Sequence, residues 1–240
     1  MTTVLITGAN QGIGLALAQQ YAAEEADVLG CCIEPATAAS LSELASLSGS
    51  RVKIIKLDVT DETSIQSLKD ELRDQPIDIL INNAGIIGPE NQSANCIDAE
   101  GWMTTLRVNA LAPMLVALAL RDNLKRGYEK KLVAISSGLG STSIDSSSTL
   151  APIRYAYCAS KAALNNGMHA LSRDWANEGV LVGILAPGFV RTSMGGAAAA
   201  ADPTSISPEE SASGLIRRIA ELTSATSGVF QNYRGEKIPW

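Results

Sequence analysis

Tyr157-Cys158-Ala159-Ser160-Lys161 holds a phenol and an ammonium four residues apart. On a helix that spacing puts both groups on one face. A cation within about 4–6 Å favours a phenolate and lowers a tyrosine pKa from about 10 by roughly 1–3 units, bringing a proton donor and acceptor toward neutral pH. Taken alone, the spacing marks a surface pair more often than a proton relay, and its neighbours decide between the two. A second candidate is the turn Thr7-Gly8-Ala9-Asn10-Gln11-Gly12-Ile13-Gly14, which follows an apolar run and opens a helical pattern. Glycines there let the chain turn tightly and bring backbone N–H groups to a pyrophosphate at the positive end of a helix. The spacing G-x-x-x-G-x-G differs from G-x-G-x-x-G, and plain strand-to-helix packing also uses such glycines.

The elements that would carry these groups alternate in kind. Continuous apolar runs at 3–6, 27–32, 51–57, 77–82, 131–136 and 181–186 read as strands covered on both faces. Helical patterns fill 12–24, 36–47, 61–73, 99–123 and 157–177, and Ser207-Pro208-Glu209-Glu210 starts a later helix with a serine cap, a first-turn proline and early acids. This alternation predicts an α/β fold, a single doubly wound parallel sheet with helices on both faces, spanning 1–240 as one domain. Two stretches interrupt it after strand ends: 138–154, rich in Ser, Thr and Gly, and 195–203, with five consecutive alanines. Ligands of open α/β sheets bind outside the strands' carboxyl ends, so substrate loops are expected near 138–154 and 194–206.

With 240 residues, 46% of them hydrophobic and 18% charged, the chain has the composition of a globular protein rather than a disordered or fibrous one. The net charge of −6 offers no basic footprint, so neither nucleic acid nor an anionic membrane surface is an expected partner. The longest apolar stretch, near 108–120, is short for a bilayer and contains Pro113. The first residues lack the positively charged start of a signal peptide. Cys31, Cys32, Cys96 and Cys158 have no C-x-x-C spacing, which suits reduced thiols and a cytoplasmic location. His169, the one histidine, is expected at a surface or interface, and no metal site is predicted.

Along nearly its whole length the chain resembles the short-chain dehydrogenase/reductase family. The matching residues are Thr7-Gly8-x-x-x-Gly12-Ile13-Gly14, Asp58-Val59, Asn82-Asn83-Ala84-Gly85, Asn109, Ile135-Ser136-Ser137, Tyr157-x-x-x-Lys161 and Pro187-Gly188-x-x-x-Thr192. Tyr155 to Asn165, the Ser207 segment and Ile238-Pro239-Trp240 are similar to its C-factor/sniffer-like carbonyl reductase branch. The resemblance implies an NAD(P)-dependent oxidoreductase that interconverts a carbonyl and an alcohol by hydride transfer. Tyr157 would be general acid in reduction and base in oxidation. Lys161 would lower its pKa and hold the nicotinamide ribose. Ser137, favoured over Ser136 because Gly140 follows it by three, would bind the substrate oxygen, although its gap of 20 residues to Tyr157 exceeds the family's usual one. Asn109 would position a relay water behind the lysine, or could be simply a buried polar residue satisfied by backbone.

The cofactor would be held by Gly8, Asn10, Gln11, Gly12, Ile13, Gly14, Cys32, Ile33, Asp58, Val59, Asn83, Ala84, Gly85, Tyr157, Lys161, Pro187, Gly188, Val190 and Thr192. Asp58 could instead be a simple helix-start residue, and Asn83 a strand-linking one. At the end of the second strand, Cys31-Cys32-Ile33-Glu34 offers no cation for an added ribose phosphate, and Glu34 would repel one, so NAD is favoured with NADP possible. The partner would be a small-molecule carbonyl or alcohol. Small residues on 99–123 and 157–177 suggest a homodimer or larger. A dinucleotide-binding sensor or signalling protein with little turnover, and a non-redox enzyme on the same scaffold, are the alternative readings.

Overall fold

The computed structural model describes residues 1–90, 92, 95–143 and 154–240. Among them, seven strands run in parallel: β1 (Thr3–Thr7), β2 (Asp27–Cys32), β3 (Val52–Lys56), β4 (Ile79–Asn82), β5 (Lys131–Ile135), β6 (Leu181–Ala186) and β7 (Phe230–Asn232). Their order in the sheet is β3-β2-β1-β4-β5-β6-β7. The order reverses at the β1–β4 junction, where the crevice of such folds opens. Strands buried on both faces need apolar side chains at successive positions, which is why they read as unbroken hydrophobic runs.

The helices are α1 (Gly12–Ala23), α2 (Ala39–Leu47), α3 (Glu62–Leu72), α4 (Ala99–Leu106), α5 (Ala112–Ala119), α6 (Arg121–Arg126), α7 (Tyr155–Asp174), α8 (Gly196–Ala201) and α9 (Pro208–Ala220). One core layer joins α3, α5 and α7 to the sheet through Ile65, Leu68, Val116, Leu164 and Met168. The other joins α1, α2 and α9 through Leu17, Leu41, Leu215 and Ile219. Adjacent Cys31 and Cys32 fall in opposite layers, as strand geometry requires. Caps mark the helix starts: Asp61 accepts from Thr63 N at α3, and Ser207 from Glu210 N at α9.

Four features differ from expectation. The helix expected over 99–123 divides into α4, a π turn at Arg107–Leu111, α5 and, past Leu120, α6. Pro113 has no N–H for the α-helical bond one turn back, and Ala112 N reaches Arg107 O instead. The segment from Ala99 to Ala119 is nevertheless continuous, 21 residues whose most apolar 18-residue window has a mean hydropathy of 1.3, so it is longer than the apolar stretch read from sequence and long and apolar enough to cross a membrane by length and composition alone. Its buried face carries Thr105 and Asn109 and packs on α7, as a core helix does. The alanine run, read as a loop, is helix α8, in line with alanine's helix propensity. Finally, β7 is too short and too polar to stand out in sequence. Of the expected substrate loop at 138–154, residues 144–153 lie outside the described residues.

Candidate active site

The glycine turn between β1 and α1 is tied to the end of β4. Thr7 Oγ1 accepts from Asn83 N and Ala84 N at 3.0 Å each, and Asn83 Nδ2 donates to Thr7 O at 2.9 Å and Gly8 O at 3.1 Å. Asn83 is thus a strand-linking residue whose amide is spent inside the protein. Gly8 and Gly12 have φ of 67° and 55°, the left-handed region that glycine enters without strain. A Cβ on Gly14 would lie 2.2 Å from Gly8 O and 2.5 Å from Asn83 Nδ2, so this glycine permits the close approach of α1 to β1. Gln11 precedes α1 with no side chain capping it. That leaves the first N–H groups of the helix facing the crevice, the donor chemistry a pyrophosphate needs. Asn10 and Ile13 are half-buried and Gln11 is exposed on the same turn.

The other expected cofactor residues also lie at the carboxyl ends of strands. Cys32 is buried and Ile33 is 62% exposed beside it. Asp58 Oδ1 accepts from Thr60 N and Thr60 Oγ1 at 2.9 and 2.7 Å, so it closes its own turn, while Val59 packs into the core. Pro187 O accepts from Ser211 Oγ, Gly188 has φ of 87°, and Val190 is buried in a bridge with Ile206. Thr192 comes against Gly12, since a Cβ there would meet its Cγ2 at 3.2 Å. The β6 loop therefore reaches across to the glycine turn.

At the sheet's centre, β5, the π turn and α7 bring the four expected catalytic residues together. Lys161 is 4% exposed, and its Nζ donates to Ile135 O at 2.8 Å, 5.8 Å from the Tyr157 ring centre. Asn109 accepts from Ile86 N at 2.8 Å and donates to Ile86 O at 2.8 Å and Ser160 Oγ at 3.0 Å. Ser160 in turn donates to Tyr157 O at 2.8 Å. Gly85 borders this group: a Cβ on it would lie 3.2 Å from Asn109 Oδ1 and 3.7 Å from Lys161 Nζ. Ser137 caps the short turn Gly138–Gly140 through Leu139 N, and its hydroxyl reaches the Tyr157 phenol. Ser136 is turned away into the core. A cleft of about 510 Å³ opens beside Gly85, walled by Ile86, Ile87, Pro89, Thr104 and Met194.

The electrostatics correct one expectation. Burial pushes the Tyr157 phenol above its ordinary value, and the Ser137 hydroxyl opposes this without reversing it. Lys161, expected to lower the phenol, is itself lowered to about 8 by burial. Desolvation disfavours the charged form of each group.

Sequence reading missed Asn165, a buried amide on α7 bonded to Ser136 and Gly140, and Gln92, whose Oε1 accepts from Ala156 N at the start of α7 at 2.6 Å. Asn165 ends the stretch that resembles the carbonyl reductase branch, but nothing in its type or spacing names its partners, and Gln92 lies in no motif. Tyr155 is half-buried against a small hollow lined by Ile97 and Trp102. His169, expected at a surface or interface, is half-buried, bonded to Gly228 O and set edge-on to Trp240 at 5.1 Å.

The family model described as short chain dehydrogenase matches residues 2–203. C-signal of Myxococcus xanthus is 35% identical over 165 residues, covering 69% of this chain and 93% of that protein. An NADPH-bound carbonyl reductase from chicken fatty liver superposes with a TM-score of 0.92 at 30% identity, over 100% of this chain and 99% of that one. Carbonyl reductase Sniffer of D. melanogaster gives 0.86 at 27% identity, over 100% of both chains. The chain belongs to the short-chain dehydrogenase/reductase family, on its carbonyl reductase side, and is an NAD(P)-dependent oxidoreductase.

Proposed function

We propose that this protein reduces carbonyl compounds to alcohols, and catalyses the reverse, with Tyr157 as the proton donor and acceptor. The carrying observation is the convergence of half-buried Ser137 with buried Tyr157 and Lys161 on a crevice floored by Gly85 and the β1–α1 turn. The glycine turn, Asn83-Ala84-Gly85 and the Thr192 loop would hold the dinucleotide, whose nicotinamide supplies or accepts the hydride. The Ser137 hydroxyl holds the carbonyl oxygen against Tyr157, and the phenol delivers its proton to that oxygen. The raised phenol pKa keeps the proton in stock at neutral pH. The Lys161 ammonium faces the ring and favours the phenolate left behind. Asn109, pinned to Ile86 and Ser160, fixes the loop after β4 against α7. A screen of aldehydes, ketones and alcohols with NADH and NADPH tests this. Consumption with a carbonyl supports it, and binding without consumption favours the signalling reading, to which the C-signal relative lends its one specific support.

NAD is the cofactor favoured by this chain's own residues. Cys32, Ile33 and Glu34 offer no guanidinium for a ribose phosphate. Strand register brings exposed Lys56 beside Cys32, but a flexible ammonium lacks the planar fork of arginine. The NADPH of the chicken structure weighs on the other side. Comparing kcat/KM for the two cofactors decides.

A cytoplasmic homodimer completes the proposal. Ala163 and Ala170 on α7, with Met103, Leu111 and Leu118 on the α4–α5 rod, face outward. Small and apolar groups on two neighbouring helices suit an isologous contact. Sedimentation should give twice the monomer mass, falling to one when Ala163→Glu is introduced; a monomeric native protein refutes it.

A further inference from the structure

Asn165 lies one helical turn beyond Lys161 on α7 and is 2% exposed. Its Oδ1 accepts the Ser136 hydroxyl at 2.5 Å, and its Nδ2 donates to Gly140 O at 3.3 Å. Ser136 follows the last residue of β5 and Gly140 ends the short turn capped by Ser137. One amide therefore grips both ends of the five-residue segment that carries Ser137. The segment lies flat on the helix, since a Cβ on Gly140 would come 2.8 Å from Asn165 Nδ2 and 2.9 Å from the Lys161 carbonyl carbon. At the β5 end, Ser136 N donates to Leu185 O at 2.7 Å, which leaves the hydroxyl free for Asn165.

An amide has a donor and an acceptor in fixed geometry, so it can read a hydroxyl and a carbonyl at once. Leucine would fill a similar volume and leave both partners unpaired in a dry site. Ser137 needs such a fixture. Its hydroxyl must meet a phenol borne by a different element, 20 positions further along the chain. Asn165 shortens that path to a contact across two turns of α7.

We propose that Asn165 is a positioning residue that sets the Ser136–Gly140 turn on α7 and so holds the Ser137 hydroxyl opposite Tyr157. The inference rests on the roles proposed above for Ser137 and Tyr157. Asn165→Leu, Ser137→Ala and the double variant test it, with kcat, KM, dinucleotide affinity and the pH profile measured for each. Asn165→Leu should lower kcat by about 10- to 100-fold, the scale of a displaced catalytic group, with dinucleotide affinity unchanged. Its pH profile should shift upward, because the hydroxyl that opposes burial at Tyr157 is displaced. The double variant should be no slower than Ser137→Ala, because Asn165 acts through Ser137. Should Asn165→Leu fail to fold, Ser136→Ala removes one end of the same grip and should give a smaller loss of kcat with the same dependence on Ser137. Unchanged kcat in the folded variants, or losses that multiply with that of Ser137→Ala, would overturn the proposal. If Ser137→Ala itself has normal kcat, the catalytic reading fails, and this inference with it.

Discussion

Around the β1–α1 turn the crevice is walled by bare main chain, with Gly8, Gly12 and Gly14 holding side chains away. Around α7 it is walled by Asn109, Ser160, Lys161 and Asn165, all at 4% exposure or less and all polar. The two walls do different work with different material. A pyrophosphate is recognised by backbone N–H groups and a helix end, so the first wall needs space. A proton is handled by side chains in a dry site, so the second needs buried donors and acceptors, each satisfied by a neighbour. Changes in the first wall should therefore act on dinucleotide affinity and folding, and changes in the second on turnover.

The largest separation is expected from Tyr157→Phe, which keeps the ring and removes the proton. Turnover should fall by about 10²–10⁴, the worth of a positioned acid–base, while dinucleotide binding measured by titration persists. Gly14→Ala probes the opposite wall. Its methyl would stand 2.2 Å from Gly8 O, and overpacking of this kind costs about 1–3 kcal/mol. It should lower Tm and weaken dinucleotide binding, and a variant with normal affinity and lost turnover would break the contrast. Ile33→Arg, exposed at the end of β2, should move kcat/KM toward NADPH by about ten- to hundredfold through a charge-assisted bond. A native enzyme that already prefers NADPH would show that this edge reads the phosphate by other means.

The smallest effects come from pH. Lys161 loses its charge through about pH 8, so kcat/KM for reduction should decline above that value. Its folded pKa lies below the unfolded one near 10.5, so the unfolded chain holds more protons between about 8 and 10.5. Stability attributable to Lys161 therefore rises with pH across that window, and below it the buried charge is a cost. Lys161→Met should remove this slope and raise Tm near neutral pH by roughly 2–4 °C for each kcal/mol regained, while abolishing turnover. A lower Tm would mean that the bond to Ile135 O outweighs desolvation.

The legible parts of this protein were those whose physics is local in sequence. Double-sided burial writes itself as apolar runs, and the need for space writes itself as Gly8, Gly12 and Gly14. The motif residues Ser137, Tyr157, Lys161 and Asn109 were found because their types match a known pattern, and the structure brings them to one place. What escaped depends on partners far along the chain. Asn165 sits in a recognised stretch, but its role shows only when Ser136 and Gly140 meet it, β7 exists only because β6 pairs with it, and the π turn follows from Pro113 inside an apparently regular helix. The sign of the Tyr157 shift escaped for the same reason. The i, i+4 spacing announces the nearby ammonium, whereas desolvation comes from the whole surrounding core.

The central claim is that the β1–α1 wall presents a nicotinamide to a carbonyl held at Ser137 and Tyr157. It is tested most directly by following the transferred atom. Reduced dinucleotide carrying deuterium at both positions of nicotinamide C4 is incubated with the native enzyme and an accepted aldehyde or ketone, and the product is examined by NMR. Deuterium bound to the carbinol carbon, in native enzyme and absent with Tyr157→Phe over the same interval, is the predicted result. Product alcohol without the label, or label transferred equally well by Tyr157→Phe, would contradict the account.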